Sequence, residues 1–397
     1  MILTTPLFLV LFLLLNLLAE AISFAEEYAV PNSGSPYLSL DNLKNNEIIH
    51  LPTGLKVNFE QMQDVISSSR VIYIGETHDN IEAHRVQLKI IEDLTQRFPE
   101  NISVGMEMFR RSAQQDLDLW GKGKLSPQDF KKLFRKNWGN GYPLYKPIFD
   151  FINNNNIPLI GLKPSRNSEN LFRNNEQQTD LKSLPKIDFD DRYHRPFSMS
   201  IFGGHQAMEK PYRMLLLWEE TMAQTVADFL IAPGNINSKL VVLAGGFHVQ
   251  YGFGIPKRAF RRIPHSYSII LPTVTELPPE LKDREMDVQH VPIPLYSGDY
   301  AWKVSYKILP GNKVNLGVTL ENNENGLRIK SVSKNSNAER AGLKKDDLLL
   351  AINKTVLIDI EDLTSRLSKL GFDDQIKLTI KRGSEEMIVD IQFMKTK

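Results

Sequence analysis

Short apolar runs rich in β-branched residues alternate with longer segments of helical period from residue 71 to about 275. That alternation constrains the chain more than any other feature, because it is the pattern of βαβ units wound around a parallel sheet. VIYIG (71–75), ISVGMEMF (102–109), IPLIGL (157–162), KLVVLAG (239–245) and SYSIILP (266–272) are the strand candidates. Behind the first of them, Ala83, Val86, Ile90, Leu94 and Phe98 recur near helical spacing and give a face that can pack on the sheet. The expected fold class is α/β, a parallel-type sheet flanked by helices. From 310 onward the texture changes to short alternating strands around two short helical segments, NAERAGL and IEDLTSRLSKL, which predicts a small β-rich domain. The expected organisation is an export segment at 1–25, a polar extension at 26–60, the α/β domain at 61–275, a connector at 276–309 and the β-rich domain at 310–397. The polar, poorly periodic stretch 166–198 reads as a surface excursion over the sheet.

Two strand ends carry chemistry. VIYIGETHDN runs from a buried-type strand into Gly75, Glu76, His78, Asp79 and Asn80; VVLAGGFHVQYG repeats the arrangement with Gly245 and His248. In open parallel sheets ligands sit beyond the carboxyl ends of the strands, where loops present polar groups without breaking the sheet. Glycine ahead of each turn lets backbone come close to a neighbour. The strand ISVGMEMF would deliver Glu107 to the same rim. Two imidazoles and two carboxylates, His78, His248, Glu76 and Glu107, suit a divalent ion such as Zn, Mn, Fe or Ni. They equally suit acid and base roles, since burial and like-charge neighbours shift carboxylates upward. The plain alternative is that each histidine caps its own loop by bonding backbone carbonyls.

A chain of 397 residues is long enough for two folded units. Its 48 basic and 47 acidic residues nearly balance and form no basic run, so a nucleic-acid partner is not expected. With no cysteine there is no disulfide, no thiolate chemistry and no lipidated N-terminal cysteine. The opening MILTTPLFLVLFLLLNLLAEAISFA closes on small residues at Ala19, Ala21, Ser23 and Ala25, as a secretory signal does. It lacks a Lys or Arg ahead of the apolar run, so it is either cleaved or retained as a membrane anchor. Both alternatives imply export to a periplasmic or other extracytoplasmic space.

GETHDNIEAHRVQLKIIEDL, GMEMF, WGNGYPLYKPIFDF, LWEETMA and LAGGFHVQYGFGIP, together from about 60 to 275, resemble the ChaN-like haem-uptake proteins of the Tiki superfamily. The resemblance implies an α/β fold whose strand-end pocket binds haem iron, often across a homodimer; other superfamily relatives are metal-dependent hydrolases or peptidases. Carried over by position, it implies haem or metal binding by His78, His248, Glu76, Glu107 and Tyr145, with Gly75, Asp79, Asn80, Gly245 and Glu219 in the pocket. Arg85, Lys163 and Arg166 are candidates for the haem propionates. Trp138, Tyr142, Tyr145, Phe149, Phe247 and Phe253 are candidate walls, and His84 is read as a structural rim residue. Two departures stand out: His205 occurs without the cysteine that usually follows, and Glu219 stands where Asp is common. Residues 310–397 resemble a PDZ domain, with Leu316, Gly317 and Val318 at the loop that holds a peptide carboxylate, which implies capture of a peptide or protein C-terminus by strand addition. Asp346 replaces a glycine common in bacterial versions.

The functional expectation is an exported haem- or metal-binding protein in haem or iron handling, with the PDZ domain docking a partner's tail. The alternative is a metal-dependent hydrolase in which Glu76 or Glu107 moves protons and the PDZ domain binds substrate. A third reading is an adaptor whose α/β domain has lost its ligand.

Overall fold

A computed structural model describes residues 40–174, 183–201, 208–279, 282, 293, 295–309, 314–323, 326–367 and 369–394. The segment 1–25, His205 and residues 175–182 of the excursion lie outside them. The chain divides into two compact units, Met1–Lys307 and Ile308–Lys397.

The first unit contains strands β1 (Ile48–His50), β2 (Leu55–Val57), β3 (Val71–Glu76), β4 (Ile102–Arg110), β5 (Leu159–Lys163), β6 (Lys239–Gly245), β7 (Tyr267–Thr273) and β8 (Tyr300–Lys303). Its α-helices are α1 (Phe59–Ile66), α2 (Ile81–Arg97), α3 (Gln114–Gly121), α4 (Pro127–Asn137), α5 (Tyr142–Asn154), α6 (Arg166–Asn174), α7 (His194–Ile201), α8 (Glu209–Ile231) and α9 (Ile255–Arg262). The strands form one sheet in the order β2-β1-β8-β7-β3-β6-β4-β5. From β8 to β5 every pairing is parallel. At the other edge β1 pairs antiparallel with β8 and β2 antiparallel with β1, so the sheet is mixed where a parallel one was expected. The extra strands come from residues read as polar extension and connector. They are only three or four residues long, too short for a periodic signal to emerge from their polar surroundings.

Central strands β3, β4 and β6 are buried almost throughout, which is why they read as continuous apolar runs rather than alternating ones. Helix α2 lays Ala83, Val86, Ile90 and Leu94 on the sheet, the stripe its spacing predicts. It begins where Asn80 Oδ1 accepts the Glu82 N–H at 3.1 Å, an N-cap. Within 166–198 the described residues contribute to a core of their own. Phe172 of α6 and Ile187 share a core with Tyr212, Leu216 and Leu217 of α8.

The order of connection fixes where a ligand can enter. Strands β3 and β6 are neighbours, yet the chain leaves β3 for β4 on one side and leaves β6 for β7 on the other. The two connections run in opposite directions, β3 to β4 past β6 and β6 to β7 past β3, and leave a crevice beyond the carboxyl ends of these two strands, the topological switch point of an open α/β sheet.

The second unit contains β9 (Val318–Asn323), β10 (Gly326–Val332), β11 (Leu348–Ile352), β12 (Thr355–Val356), β13 (Gln375–Arg382) and β14 (Glu385–Gln392), with helices α10 (Asn337–Arg340) and α11 (Ile360–Leu367). Its sheet runs β14-β13-β11-β10-β9, all pairings antiparallel, with β12 attached to β11. Leu327, Ile329, Leu349, Leu378, Ile380 and Phe393 are among the residues of its own core.

Candidate functional site

His78 follows β3 and His248 follows β6, so the two histidine turns flank the switch-point crevice. They converge there. A Cβ added to Gly245 would stand 3.0 Å from His78 Cε1 and Nε2 and 3.5 Å from Glu107 Oε2, so His78 lies over the end of β6 beside the Glu107 carboxylate. Glycine at 245 is what permits this approach.

His78 is oriented from below. Its Nδ1–H donates to Glu76 Oε1 at 2.8 Å, and the same oxygen accepts the Tyr145 hydroxyl at 2.5 Å. Glu76 Oε2 accepts from Gln87 Nε2 at 2.7 Å and faces His84 Nδ1 at 3.6 Å. Burial would raise the Glu76 carboxyl, but the charge of His84 and the bonds from His78 and Tyr145 outweigh it and hold it below its ordinary value. Burial lowers His78, and the Glu76 bond with the Glu76 and Glu107 charges overcomes it and raises the imidazole above its ordinary value. With Nδ1 committed to Glu76, Nε2 is the nitrogen left for a ligand. The side chain is 44% exposed, so that nitrogen belongs to an accessible ring. Trp138 stands edge-on to it at 4.9 Å.

His248 is different. It is buried, with Nδ1 3.1 Å from Glu219 Oε1 and Nε2 3.4 Å from Glu107 Oε1. Burial lowers its pKa, but the charges and hydrogen bonds of Glu107 and Glu219 prevail and push it up to about 10. Both carboxylates are driven the other way, Glu107 well below its ordinary value against a burial penalty. Glu107 Oε2 also accepts the Gly245 N–H at 2.8 Å, and Lys163 Nζ lies 3.6 Å from Oε1. His248, a candidate ligand in the sequence, thus lies between two buried carboxylates with one ring nitrogen toward each.

The remaining candidates sort by what they touch. Tyr145 is fully buried and donates its hydroxyl to Glu76, the carboxylate that holds His78; desolvation first, then the Glu76 charge, raises its pKa well above the ordinary value. Asp79 accepts the Tyr306 hydroxyl at 2.7 Å, and Asn80 caps α2 while accepting the Lys307 N–H at 3.0 Å. Both anchor the turn. Gly75 lies inside β3 where an added Cβ would press on Leu271 and on Gly246 Cα. His84, read as a rim residue, is buried beneath the site and donates from Nε2 to the His78 carbonyl at 3.1 Å. Arg85 is engaged by Glu82 and Asn46, and Arg166 by the Lys136 carbonyl. Lys163 is buried, its ammonium 4.9 Å from the Trp138 ring centre and 4.0 Å from that of Trp218.

Of the expected walls, Tyr142, Tyr145 and Phe149 pack with Phe134 in the core, while Phe247 and Phe253 gather around Phe197 of α7. Among the described residues no group of three or more His, Asp or Glu side chains is arranged to hold a bare metal ion. The reason is visible in the hydrogen bonds: Glu76 and Glu107 spend their oxygens on Tyr145, Gln87, His78 and the Gly245 N–H. The donor set that remains fits a haem iron, which asks of the protein one oriented imidazole beside an aromatic surface. His78 and Trp138 supply both.

Sequence reasoning missed Gln87, Trp218 and His194. Gln87 lies three residues from His84 on the buried stripe of α2, which a search for polar residues on an apolar face would have found. His194 sits in the aperiodic excursion and carries no local signal; its Nε2 lies 2.7 Å from Glu219 Oε2, an ion-pair distance.

In the second unit Leu316 is buried, Gly317 has φ +79° and Val318 opens β9, an edge strand. The Leu316 carbonyl accepts from Ala338 N–H and the Gly317 carbonyl from Ser333 N–H, both at 2.8 Å, which ties the loop to the segment that leads into α10. A Cβ on Gly317 would stand 2.2 Å from Ser336 Cβ. Helix α11 packs beside β9, leaving an apolar-floored edge formed by Val318, Leu320 and Ile360.

Comparison with known proteins gives the same division. The family described as haem-binding uptake, Tiki superfamily, ChaN matches residues 62–259, and the PDZ domain family matches 314–393. No curated protein matches the chain. Among solved structures, ChaN of Campylobacter jejuni, described with cofacial haem binding, is 19% identical with a TM-score of 0.50, covering 65% of this chain and 98% of its own. An aminopeptidase N family protein from Idiomarina loihiensis is 21% identical over 22% of this chain and 14% of its own, with a TM-score of 0.21. A serine endoprotease from Yersinia pestis is 20% identical over 21% and 29%, with a TM-score of 0.19.

Proposed function

We propose that this chain, whose α/β domain belongs to the ChaN family of haem-binding uptake proteins and whose C-terminal domain is a PDZ domain, takes up haem at His78 outside the cytoplasm and serves haem or iron handling. One observation carries the reading: a half-exposed imidazole whose Nδ1–H is fixed on a buried carboxylate, leaving Nε2 as the donor. Bound haem would supply an iron able to accept the His78 nitrogen and a Soret band that reports it. Glu76 orients the His78 ring and strengthens its basicity, as a carboxylate behind a ligating histidine does. Tyr145 and Gln87 hold Glu76 in turn, and Trp138 offers an aromatic edge at the ligand face. Export rests on the N-terminal sequence, either as a cleaved signal or as an anchor. A homodimer, as the family resemblance implies, belongs to the same proposal.

Haemin titrated into the protein is expected to give a saturable Soret shift. His78→Ala should abolish it at concentrations that saturate the parent. A linear, unsaturable response in the parent would remove haem as the ligand.

The second part of the proposal is that β9 accepts a peptide C-terminus as an added strand, with the amides of the Leu316–Val318 loop meeting the carboxylate. Peptides with free C-termini should bind and their amidated forms should not. Gly317→Ala should abolish binding, because it places a Cβ on Ser336 and at a φ that only glycine adopts without strain. Equal binding of free and amidated peptides would refute carboxylate capture.

A further inference from the structure

We infer that His194, delivered by α7 from the excursion after β5, is a positioning residue of the haem site, acting through Glu219 on His248. The inference rests on the haem reading above and adds to it a residue outside the strand-end motifs. Glu219 stands between two imidazoles: Oε1 is 3.1 Å from His248 Nδ1 and Oε2 is 2.7 Å from His194 Nε2. The side chains of His194 and Glu219 are essentially inaccessible, at 1% and 0%. The next cation, Arg258 Nη1, is 3.6 Å from Oε2, beyond hydrogen-bond reach. His194 is thus the nearest basic side chain to that oxygen among the described residues, and without it the buried carboxylate loses its closest ion-pair contact.

The consequence runs toward the ligand. Glu219 sets the tilt of His248, His248 braces Glu107, and Glu107 lies beside His78. Space for this chain is reserved in the backbone: a Cβ on Gly254 would overlap the His248 carbonyl and come within 2.9 Å of Glu219 Oε1. The ring also meets hydroxyls: Nδ1 faces Tyr212 and Ser198 at 3.4 Å, and Ser198 Oγ lies 3.2 Å from Nε2. The helix that carries it starts where Asp191 accepts the His194 backbone N–H at 3.1 Å. Other ties hold the same segment to the domain, Asp191 to Lys257 and Asp188 to Arg261, but among the described residues only the His194 contact ends on a partner of His248.

The test reads the ring N–H resonance of His248 in haem-free protein, identified by its loss in His248→Gln, alongside haemin titration. The parent should show one deshielded, slowly exchanging ring proton. His194→Ala should remove it and weaken haemin binding about tenfold or more, the size of loss seen when an outer partner of a metal site is removed. His194→Gln, whose amide can donate to Glu219 from the same place, should restore both. Lys257→Ala, which cuts a surface tie of the same segment, should change neither. An unaltered His248 resonance in His194→Ala overturns the inference, as does equal disruption by Lys257→Ala. If the parent binds no haemin while the resonance responds as described, the haem reading falls and the positioning role stands.

Discussion

Glu219→Ala is expected to destabilise the α/β domain by about 3 to 5 kcal/mol, the loss typical of breaking a buried ion network by removing one partner. The carboxylate is wholly buried and faces His194, His248 and Arg258, so its removal leaves cationic or donor groups in a low-dielectric interior with nothing to answer them. Glu219→Gln should fall between the parent and Ala, since the amide fills the space and can still accept but carries no charge. Denaturant unfolding of the three proteins measures this; a loss below about 1 kcal/mol for Ala would show that the network relaxes without cost.

The same network dictates how stability follows pH. His248 is raised from 6.5 to about 10 in the folded protein, so its contribution is complete below pH 6.5 and drains away as pH rises toward 10. Glu107 and Glu219 are depressed, so theirs is complete above their ordinary value of 4.5 and is lost as pH falls below it. Stability should therefore peak between about pH 4.5 and 6.5 and decline on both sides. Removing the network with Glu219→Ala should flatten the alkaline decline.

Gly245→Val should eliminate haemin binding while leaving a folded protein. An added Cβ falls 3.0 Å from two atoms of the His78 ring, and the further methyls of valine require that ring to move. Being 44% exposed, His78 can swing outward, which limits the cost to the about 1 to 3 kcal/mol usual for overpacking. Swinging breaks the 2.8 Å bond to Glu76, and with it the orientation of Nε2. The neighbouring glycine is the control. A Cβ at Gly246 meets nothing nearer than 3.6 Å, so Gly246→Ala should bind haemin as the parent does. Should Gly245→Val retain the parent's Soret shift and affinity, His78 would not be the ligand.

Much of this protein is legible in its residues. The five apolar runs mark five strands of the α/β sheet, because strands buried on both faces cannot be polar, and the stripe on α2 follows from helical period. The Gly-x-x-His endings of β3 and β6 and the acidic residue of β4 identify the rim, and the loop at Leu316 to Val318 marks the PDZ edge. What the residues could not disclose is which imidazole is open. His78 and His248 have the same local motif, and the difference lies in Glu219, 29 positions from His248, which closes over one ring and not the other. Neither could the sequence supply His194, or the bond that ties Tyr145 to Glu76. Hydrogen-bond partners distant along the chain are assigned only when α8 packs against the sheet and α7 against α8, since periodicity reports which face a residue occupies and is silent about what it meets there.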